Sequence, residues 1–209
     1  MKLCLIPMKP LARAKERLGV VLSADDRRRL ALAMLADVVT AAKGFDAVWV
    51  VCSDDDAANT ATDAGATPVP DRTPEVGLNE SLAATTSEAI EAGATGMLIV
   101  SSDCPGATSE ELARLALGDG VTLATDRARR GTNALWRQKP DVIPTYFGPE
   151  SRRAHQGTCY GYQIPFALIP CEGLAIDVDE PADLELVAPI AGAATRGVLS
   201  ELGYPQHRR

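Results

Sequence analysis

Three aspartates stand at positions where side-chain oxygens could bind a divalent cation. Asp103 follows the apolar run GMLIVSS, and Asp177 and Asp179 stand two residues apart in IDVDEP. Side chains two residues apart in an extended chain point to the same side, so Asp177 and Asp179 could bind one ion together. Magnesium prefers hard oxygen ligands and is often held by one or two carboxylates together with substrate phosphates. We therefore predict a Mg²⁺ site at these three residues, although Asp103 could also be a turn residue, and Asp179 or Glu180 could cap a helix that begins at Pro181.

A cluster of basic residues follows the first apolar run of the chain. The run LCLIPM at 3–8 leads into Lys9, Arg13 and Lys15. Ligands of open α/β sheets bind beyond the carboxyl ends of the strands, so cations at such a point are placed to meet an anion. With carboxylates expected at the same edge, a metal-bound phosphate fits both charges. The alternative is a solvent-exposed helical face with Arg13 and Arg17 four residues apart, but it explains Lys9 poorly, because Lys9 follows the strand directly, between two prolines.

Three glycine-containing segments could hold further parts of an anionic substrate. GLNESL begins at Gly77, where the backbone can approach a ligand closely and the following helix start offers free N–H groups. GTNAL contains Thr132, and FGPESRRAH contains Gly148 and Ser151. Both combine a glycine with a hydroxyl and backbone amides, which is a common way to bind phosphate or carboxylate. Each segment taken alone could be an ordinary turn.

The segment FGPESRRAH also carries Arg152, Arg153 and His155. An arginine here could pair with an anion, whereas two adjacent arginines can also be the solvent-facing start of a helix, and we expect the second interpretation to hold for one of them. A single histidine is more often structural than catalytic. We therefore do not assign His155 as a general base.

Apolar runs and helical patterns alternate along the chain and predict its fold. Continuous apolar runs are typical of strands buried on both faces, so the alternation indicates an α/β fold with a mostly parallel central sheet and helices on both faces. Thr108 and Glu111 form a predicted capping box, and Gly93 is a predicted helix end. We expect one domain over 1–209, in which 127–180, richer in proline and glycine, is inserted substrate-binding structure. The predicted strands are 3–8, 47–53, 96–103, 120–126 and the start of 174–187, and the predicted helices begin at Ser23 or occupy 81–93, 108–117 and the end of 174–187.

The composition argues against several classes of protein. The chain has 209 residues and a formal net charge of −7, so it is not expected to bind nucleic acid nonspecifically. No run approaches the roughly 18 apolar residues of a membrane span, and Pro7 and Pro10 interrupt any signal-peptide core, so we expect a cytoplasmic protein. The five cysteines show no CxxC spacing and there are only two histidines, which favours reduced thiols over a zinc site. The tail at 207–209 is expected to be frayed.

The order of these segments resembles one family of enzymes over nearly the whole chain, from residue 5 to about residue 199. The segments are IPMKPLARAKERL, GLNESL, SSDCPG, GTNAL, FGPESRRAH and IDVDEPADLE. They are similar to those of the guanylyltransferases of deazaflavin coenzyme (F-420) biosynthesis, which act on 2-phospho-L-lactate or phosphoenolpyruvate. The resemblance implies a single-domain GT-A-like nucleotidyltransferase fold. It also implies an activity that joins the GMP of GTP to the phosphate of a small phospho-acid and releases pyrophosphate.

The resemblance implies a role for each residue at a matching position. For Mg²⁺ it implies Asp103, Asp177 and Asp179. For the phospho-acid, with 127–180 as the acceptor-binding insertion, it implies Thr132, Asn133, Gly148, Ser151 and Arg152. For the GTP phosphates and catalysis it implies Lys9, Arg13 and Lys15, with Asp103. For the nucleoside side of the nucleotide it implies Pro7, Gly77 and Asn79.

Two segments depart from the family pattern. The chain has Ser102-Asp103-Cys104-Pro105 where relatives commonly have Ala-Asp-Leu-Pro, and it has Asn133 where many bacterial relatives have a second threonine. Because Asn133 adjoins the expected acceptor site, the acceptor stays open among phosphoenolpyruvate, which we favour, 2-phospho-L-lactate and 3-phospho-D-glycerate. The resemblance also allows for a homodimer.

Two other functions compete with this interpretation. One is a different nucleotidyltransferase, or a glycosyltransferase on the same fold that uses the DxD pair and a nucleotide sugar. The basic pair in FGPESRRAH favours a small anionic acceptor over a neutral sugar. The other is a non-catalytic nucleotide-binding module, which ranks lower because the chain keeps both the acidic residues and the basic loop.

Overall fold

The computed structural model describes residues 1–205, except for the side chain of Arg13, so the expectation for the tail at 207–209 lies outside the described residues. Seven strands form one sheet in the order β3-β2-β1-β4-β6-β5-β7. The strands are β1 Lys2–Pro7, β2 Ala47–Cys52, β3 Thr67–Pro70, β4 Gly96–Val100, β5 Val121–Ala124, β6 Ala134–Arg137 and β7 Phe166–Leu168.

Seven α-helices and three short 3₁₀ helices connect the strands in the described part of the chain. The α-helices are α1 Ala24–Ala41, α2 Asp55–Ala64, α3 Leu78–Glu91, α4 Ser109–Leu115, α5 Ser151–Gly161, α6 Pro181–Val187 and α7 Ala193–Glu201. The 3₁₀ helices are Leu11–Arg13, Glu16–Val20 and Ala42–Gly44. The first two form the loop between β1 and α1, which carries the basic cluster.

The sheet is parallel except for β6, and this exception brings two parts of the site together. Strands β1, β2, β3 and β4 run in one direction, and β6 pairs antiparallel with both β4 and β5. Because β6 runs the other way, its first residue, Ala134, pairs with Val100, the last residue of β4. The segment that enters β6 therefore lies beside the segment that leaves β4, at the carboxyl edge of the parallel strands.

Apolar side chains of β1 alternate between two cores, one on each face of the sheet. Cys4 and Ile6 pack with the buried face of α1, whereas Leu3 and Leu5 pack with Leu82 of α3. All four β1 side chains are fully buried, which explains why the run is continuously apolar instead of alternating. The prediction of a mostly parallel sheet with helices on both faces is confirmed.

Capping residues in the sequence correctly predicted where two helices start. Ser23 is the N-cap of α1 and its hydroxyl accepts a hydrogen bond from the Asp26 N–H at 3.1 Å. Thr108 and Glu111 form the predicted capping box at the start of α4. Helix α3, in contrast, begins at Leu78, three residues earlier than predicted, with Gly77 as its N-cap at φ 136°.

The predicted strand at the start of 174–187 is wrong. Residues between Leu174 and Glu180 form no strand, and only the helix that follows, α6, is present. Leu174 and Val178 are buried, and the Val178 N–H donates to the Asp103 carbonyl at 3.0 Å. The apolar pattern here therefore reflects packing of a loop against the core, with one backbone bond to a neighbouring loop instead of a strand ladder.

The segment 127–180 contributes β6, α5 and β7, so it supplies strands to the sheet as well as loops to its edge. Its assignment as an acceptor-binding insertion stays a prediction. All five cysteines are free and buried. No helix within residues 1–205 is long and apolar enough to cross a bilayer.

Candidate active site

A cavity of about 900 Å³ opens at the carboxyl edge of the sheet. It is bounded by the loop after β1, the start of α3, the segment after β4, the entry to β6, the start of α5 and the loop before α6. Most residues predicted from the sequence line it, although they come from distant parts of the chain. Those residues are Pro7, Lys9, Lys15, Gly77, Asp103, Thr132, Asn133, Gly148, Ser151, Asp177 and Asp179.

Asp103 is held in its charged form by neighbouring cations. Its Oδ2 lies 2.6 Å from Nζ of Lys15. Burial raises the pKa of the Asp103 carboxyl, but the charges of Lys15 and Lys9 and a hydrogen bond from Ser101 outweigh it, so the pKa lies below its ordinary value. A partly buried carboxylate that stays ionised near neutral pH is suited to bind a cation or to hold a lysine in place.

Asp177 lies close to Asp103 and shares the same polar region of the cavity. The hydrogen bond from the Val178 N–H to the Asp103 carbonyl brings the two loops together. Burial raises the pKa of the Asp177 carboxyl, and the negative charge of Asp103 raises it further. The amide nitrogen of Asn133 donates to Asp177 Oδ1 at 3.2 Å and to the Leu174 carbonyl at 2.8 Å, so Asn133 orients this carboxylate.

Asp179 lies at the outer rim of the cavity and is paired with an arginine. Its Oδ2 lies 2.8 Å from the Arg17 guanidinium, and its side chain is 47% exposed. The cap of α6 is Glu180, which forms a capping box with Asp183. Glu180, and not Asp179, is therefore the residue that caps α6.

The described residues contain no group of three or more His, Cys, Asp or Glu side chains arranged to hold a metal ion. Asp103 and Asp177 nevertheless form a pair of carboxylates at the cavity wall, and their proximity raises the pKa of one of them. Two hard-oxygen donors with room for substrate phosphates are the set that Mg²⁺ commonly uses. The residues present therefore fit Mg²⁺, with Asp179 outside the pair.

The loop after β1 carries the basic residues over the cavity. Lys9 and Lys15 line it, and Lys15 has a left-handed backbone conformation at φ 54°, ψ 42°, which is uncommon for a residue with a side chain. This bend places the Lys15 ammonium against Asp103. Arg13 ends the first 3₁₀ helix, and its side chain lies outside the described part of the structure, so its contact with phosphate stays a prediction.

Two buried residues with hydroxyl groups form part of the cavity wall. Thr132 and Ser151 line the cavity and are almost fully buried. Ser151 Oγ has no hydrogen-bond partner among the described residues. Gly148 adopts φ 133°, and a Cβ built there would meet no atom within 4 Å, so this glycine serves the backbone conformation.

The amides at the start of α5 are already engaged by the protein. Ser151 N–H donates to the Gly148 carbonyl, Arg152 N–H to the Arg130 carbonyl and Arg153 N–H to Glu150. The Ser151 hydroxyl, which has no hydrogen-bond partner among the described residues, is therefore a better donor for a ligand than these amides.

Two predicted residues do not line the cavity. Asn79 makes a pair of hydrogen bonds with the backbone of Phe147, at 3.0 Å and 2.7 Å, and so ties the start of α3 to the loop before α5. Arg152 donates to the Arg129 carbonyl at 2.7 Å and to Gln156. Their contacts with substrate stay predictions.

The cavity also includes residues that were not assigned from the sequence. Ser101 and Ser102 follow β4, Asp71 follows β3 and Asp126 follows β5. Ser101, Ser102 and Asp126 lie at the ends of predicted strands, so the rule that ligands bind beyond the carboxyl ends of strands places them at this edge. The segment before Asp71, TPVP, is not a continuous apolar run, so it carries no strand signal. A second cavity of about 440 Å³ beside α7 is lined mostly by small residues, and its carboxylate, Asp37, accepts hydrogen bonds from two N–H groups of that helix.

The sequence is similar to known proteins over nearly its whole length. The family model described as "Guanylyl transferase CofC like" matches residues 1–206. The chain is 38% identical over 205 residues to the phosphoenolpyruvate guanylyltransferase of Sphaerobacter thermophilus, covering 95% of this chain and 97% of that protein.

Solved structures share the fold at low sequence identity. A chain from Desulfovibrio desulfuricans described as a nucleotide-diphospho-sugar transferase has a TM-score of 0.75 at 13% identity, covering 96% of this chain and 97% of that one. A nucleotidyl transferase from Methanothermobacter has a TM-score of 0.65 at 12% identity, covering 96% and 99%. The nucleotidyltransferase fold predicted from the sequence is confirmed. Since the family model spans nearly the whole chain, the protein belongs to the CofC-like guanylyl transferase family.

Proposed function

We propose that this protein transfers GMP from GTP to the phosphate of a small phospho-acid and releases pyrophosphate, as a step of coenzyme F-420 biosynthesis. Phosphoenolpyruvate is the favoured acceptor, because a relative that is 38% identical is named phosphoenolpyruvate guanylyltransferase. The acceptors 2-phospho-L-lactate and 3-phospho-D-glycerate are the alternatives.

The observation that carries the proposal is the arrangement of charges around one cavity. Cations of the β1 loop, the carboxylates Asp103 and Asp177, and the buried hydroxyls of Thr132 and Ser151 line the same space. A reaction between two phosphorylated anions needs such a combination, because the anions repel each other and must be neutralised and oriented together.

The reaction is a displacement at the α-phosphorus of GTP. An oxygen of the acceptor phosphate forms a bond to the α-phosphorus, and the bond from that phosphorus to the α,β-bridging oxygen breaks. Pyrophosphate leaves with the bonding electrons. The acceptor phosphate already carries negative charge near neutral pH, so no strong general base is required. This is consistent with not assigning His155 as a general base.

We assign the side chains of the cavity to three parts of the substrates: the GTP phosphates, the nucleoside and the acceptor. Lys9, Lys15 and Arg13 would neutralise the triphosphate and the departing pyrophosphate. Pro7 and Gly77, with Asn79 behind them, would border the nucleoside. Thr132, Asn133, Gly148 and Ser151, with Arg152 nearby, would border the acceptor.

Mg²⁺ is the proposed cofactor, held by Asp103 and Asp177, with Asp179 joining only if it leaves Arg17. When bound, the ion would supply positive charge to the phosphate oxygens of the substrate. Lys15 shares Asp103 with this site, so the lysine and the ion would act on the same phosphate region. Asn133 would keep the Asp177 carboxylate in place whether or not the ion is bound.

The experiment is pyrophosphate release from GTP and Mg²⁺, run in parallel with phosphoenolpyruvate, 2-phospho-L-lactate, 3-phosphoglycerate and no acceptor. Release with one acceptor, lost in Asp103→Asn, would support the proposal and name the substrate. Binding of GTP without release for any acceptor would contradict it. The same assay with a nucleotide sugar would then test the glycosyltransferase alternative.

A further inference from the structure

His155 is a buried histidine that contacts Thr132, one of the hydroxyl-bearing residues that line the cavity. Its side chain, from the middle of α5, is fully buried. The ring centroid lies 5.7 Å from that of Tyr146 and 5.6 Å from that of Phe147. Nδ1 lies within hydrogen-bond distance of the Thr132 hydroxyl and Nε2 within that of the Tyr146 backbone N–H, so the imidazole connects α5 to two loops. The ring also has a hydrogen bond with the Ser151 backbone at the start of α5.

The contacts of His155 fix which nitrogen carries the proton. The Tyr146 backbone N–H donates to Nε2 at 2.9 Å, and a backbone N–H can only donate, so Nε2 must carry the lone pair. Burial and the positive charge of Arg137 lower the pKa of His155 to about 4 and outweigh a hydrogen bond with the Ser151 backbone that raises it, so the ring is neutral near pH 7. A neutral imidazole has one N–H, which must therefore be at Nδ1.

The position of this proton determines what the Thr132 hydroxyl can do. Nδ1 lies 3.2 Å from Thr132 Oγ1. Because Nδ1 is the donor, Oγ1 accepts, and the hydroxyl proton of Thr132 cannot be directed at the histidine. Thr132 lines the cavity beside Ser151, whose Oγ has no partner among the described residues. Two hydroxyl protons are thus available to an acceptor atom in the cavity.

We propose that His155 is a positioning residue that fixes the Thr132 hydroxyl as a hydrogen-bond donor to an anionic oxygen of the phospho-acid. The inference rests on the proposed function, and it assigns to His155 a role in substrate affinity without proton transfer. A protonated ring would donate from both nitrogens and conflict with the Tyr146 N–H, so the arrangement works only with the neutral ring. The competing role is structural, in which His155 merely joins α5 to the loop at 146.

A pair of substitutions separates the two roles. In His155→Gln the side-chain oxygen can still accept from the Tyr146 N–H, but the donor at the Nδ1 position is lost. In His155→Asn the amide nitrogen takes the Nδ1 position and can donate to Thr132. We expect the glutamine variant to raise the KM for the phospho-acid about tenfold, with the KM for GTP within about twofold, and the asparagine variant to restore most of the affinity. An unchanged KM in the glutamine variant, or equal losses in both variants, would overturn the proposal.

A double-mutant cycle tests whether His155 acts through Thr132. Thr132→Val removes the hydroxyl and keeps the shape of the side chain. If the histidine only orients that hydroxyl, His155→Gln should change the phospho-acid KM by less than about twofold when Thr132 is already valine. Full, additive losses would show that His155 acts by another route and would overturn the proposal.

The tautomer can be measured directly on the unmodified protein. The chain has only two histidines, so ¹⁵N-detected imidazole spectra contain two ring systems, and a His207→Gln variant assigns them. We expect the neutral Nδ1–H tautomer for His155 near pH 7. A neutral Nε2–H tautomer or a charged ring would overturn the proposal even if every His155 variant failed to fold. Absence of guanylyl transfer with all acceptors would instead overturn the proposed function, and with it the substrate role of Thr132, while the tautomer result would stand on its own.

Discussion

Lys15 and Asp103 form a partly buried ion pair in the cavity, whereas Arg17, two residues later in the same loop, forms an exposed pair with Asp179. The Lys15 side chain is 10% exposed and that of Arg17 is 67% exposed. One short loop therefore supplies a cation to each of two predicted metal ligands in different surroundings. Because the two ion pairs come from the same loop and differ mainly in exposure, substitutions of Lys15 and Arg17 can be compared directly.

Asp103→Asn should lower turnover by about 100-fold or more while the protein stays folded. The amide keeps the size of the side chain but removes the charge that holds Lys15 and would bind Mg²⁺. The assay is pyrophosphate release at saturating GTP and phosphoenolpyruvate, with circular dichroism to check folding. A folded variant that retains near wild-type turnover would contradict the assignment of Asp103.

Lys15→Met should lower kcat/KM about 100-fold, and Arg17→Met by less than about threefold. The partly buried Lys15 lines the cavity, where its charge is screened less than at the surface, whereas an exposed ion pair contributes little. Steady-state kinetics on both variants, which lose one charge from the same loop, check the difference. Equal losses would show that burial of the pair is not what matters.

Asn133→Ala should weaken the apparent affinity for Mg²⁺ and raise its half-saturating concentration about tenfold. The asparagine amide orients the Asp177 carboxylate, and groups that orient a metal ligand commonly contribute at this level. A Mg²⁺ titration of initial rates at saturating substrates measures the effect. Asn59→Ala, on the exposed face of α2, is the control and should leave the titration unchanged. An unaltered titration in Asn133→Ala would contradict the role given to Asn133.

Gly148→Ala should lower the free energy of unfolding by about 1–3 kcal/mol, because a side chain at φ 133° is strained even where space is available. Gly157→Ala is the matched control. It lies in the interior of α5 with open space around it, so alanine there should stabilise the protein by about 0.5–1 kcal/mol. Urea denaturation of both variants makes the comparison. Effects of the same sign would show that the backbone conformation of Gly148 is not restrictive.

Acid should destabilise the protein through His155. Its pKa is lowered from 6.5 to about 4 in the folded state, so between these pH values the unfolded chain binds more protons than the folded one. The free energy of unfolding should therefore fall as the pH drops from 6.5 to about 4, by up to about 3 kcal/mol from this residue. The effect should be complete near the folded pKa and absent above the unfolded one.

Urea denaturation across this pH range, in the wild type and in His155→Gln, isolates the contribution of the histidine. The stabilising contribution of Asp103, whose folded pKa is lowered from 3.8, is lost mainly below this pH range, and Asp103 is present in both proteins. The pH dependence should be shallower in the variant. Identical slopes would show that His155 is not the residue whose protonation opposes folding.

The sequence by itself determined those features that depend on near neighbours along the chain. The run at 3–8 predicts β1, the Ser23 cap predicts the start of α1, and the Thr108 capping box predicts the start of α4, because side-chain period and capping are local properties. The same reasoning indicated that Asp103 and the basic loop belong to one edge of a sheet, and the order of the motifs indicated the family. Asp177 lines the same cavity from a loop and not from the strand that its pattern predicts. Residue types could do this because strand ends in an α/β sheet have a fixed relation to ligand sites.

Only the tertiary structure decided the features that depend on partners far apart in sequence. The antiparallel direction of β6 brings Asn133 beside Asp177, and the loop that contains Val178 packs as a coil although its pattern resembles a strand. Arg152 turns toward a backbone carbonyl, and His155 obtains its tautomer from Tyr146. These contacts depend on where each backbone donor and acceptor finds its partner after folding, and a residue's type alone does not specify that partner.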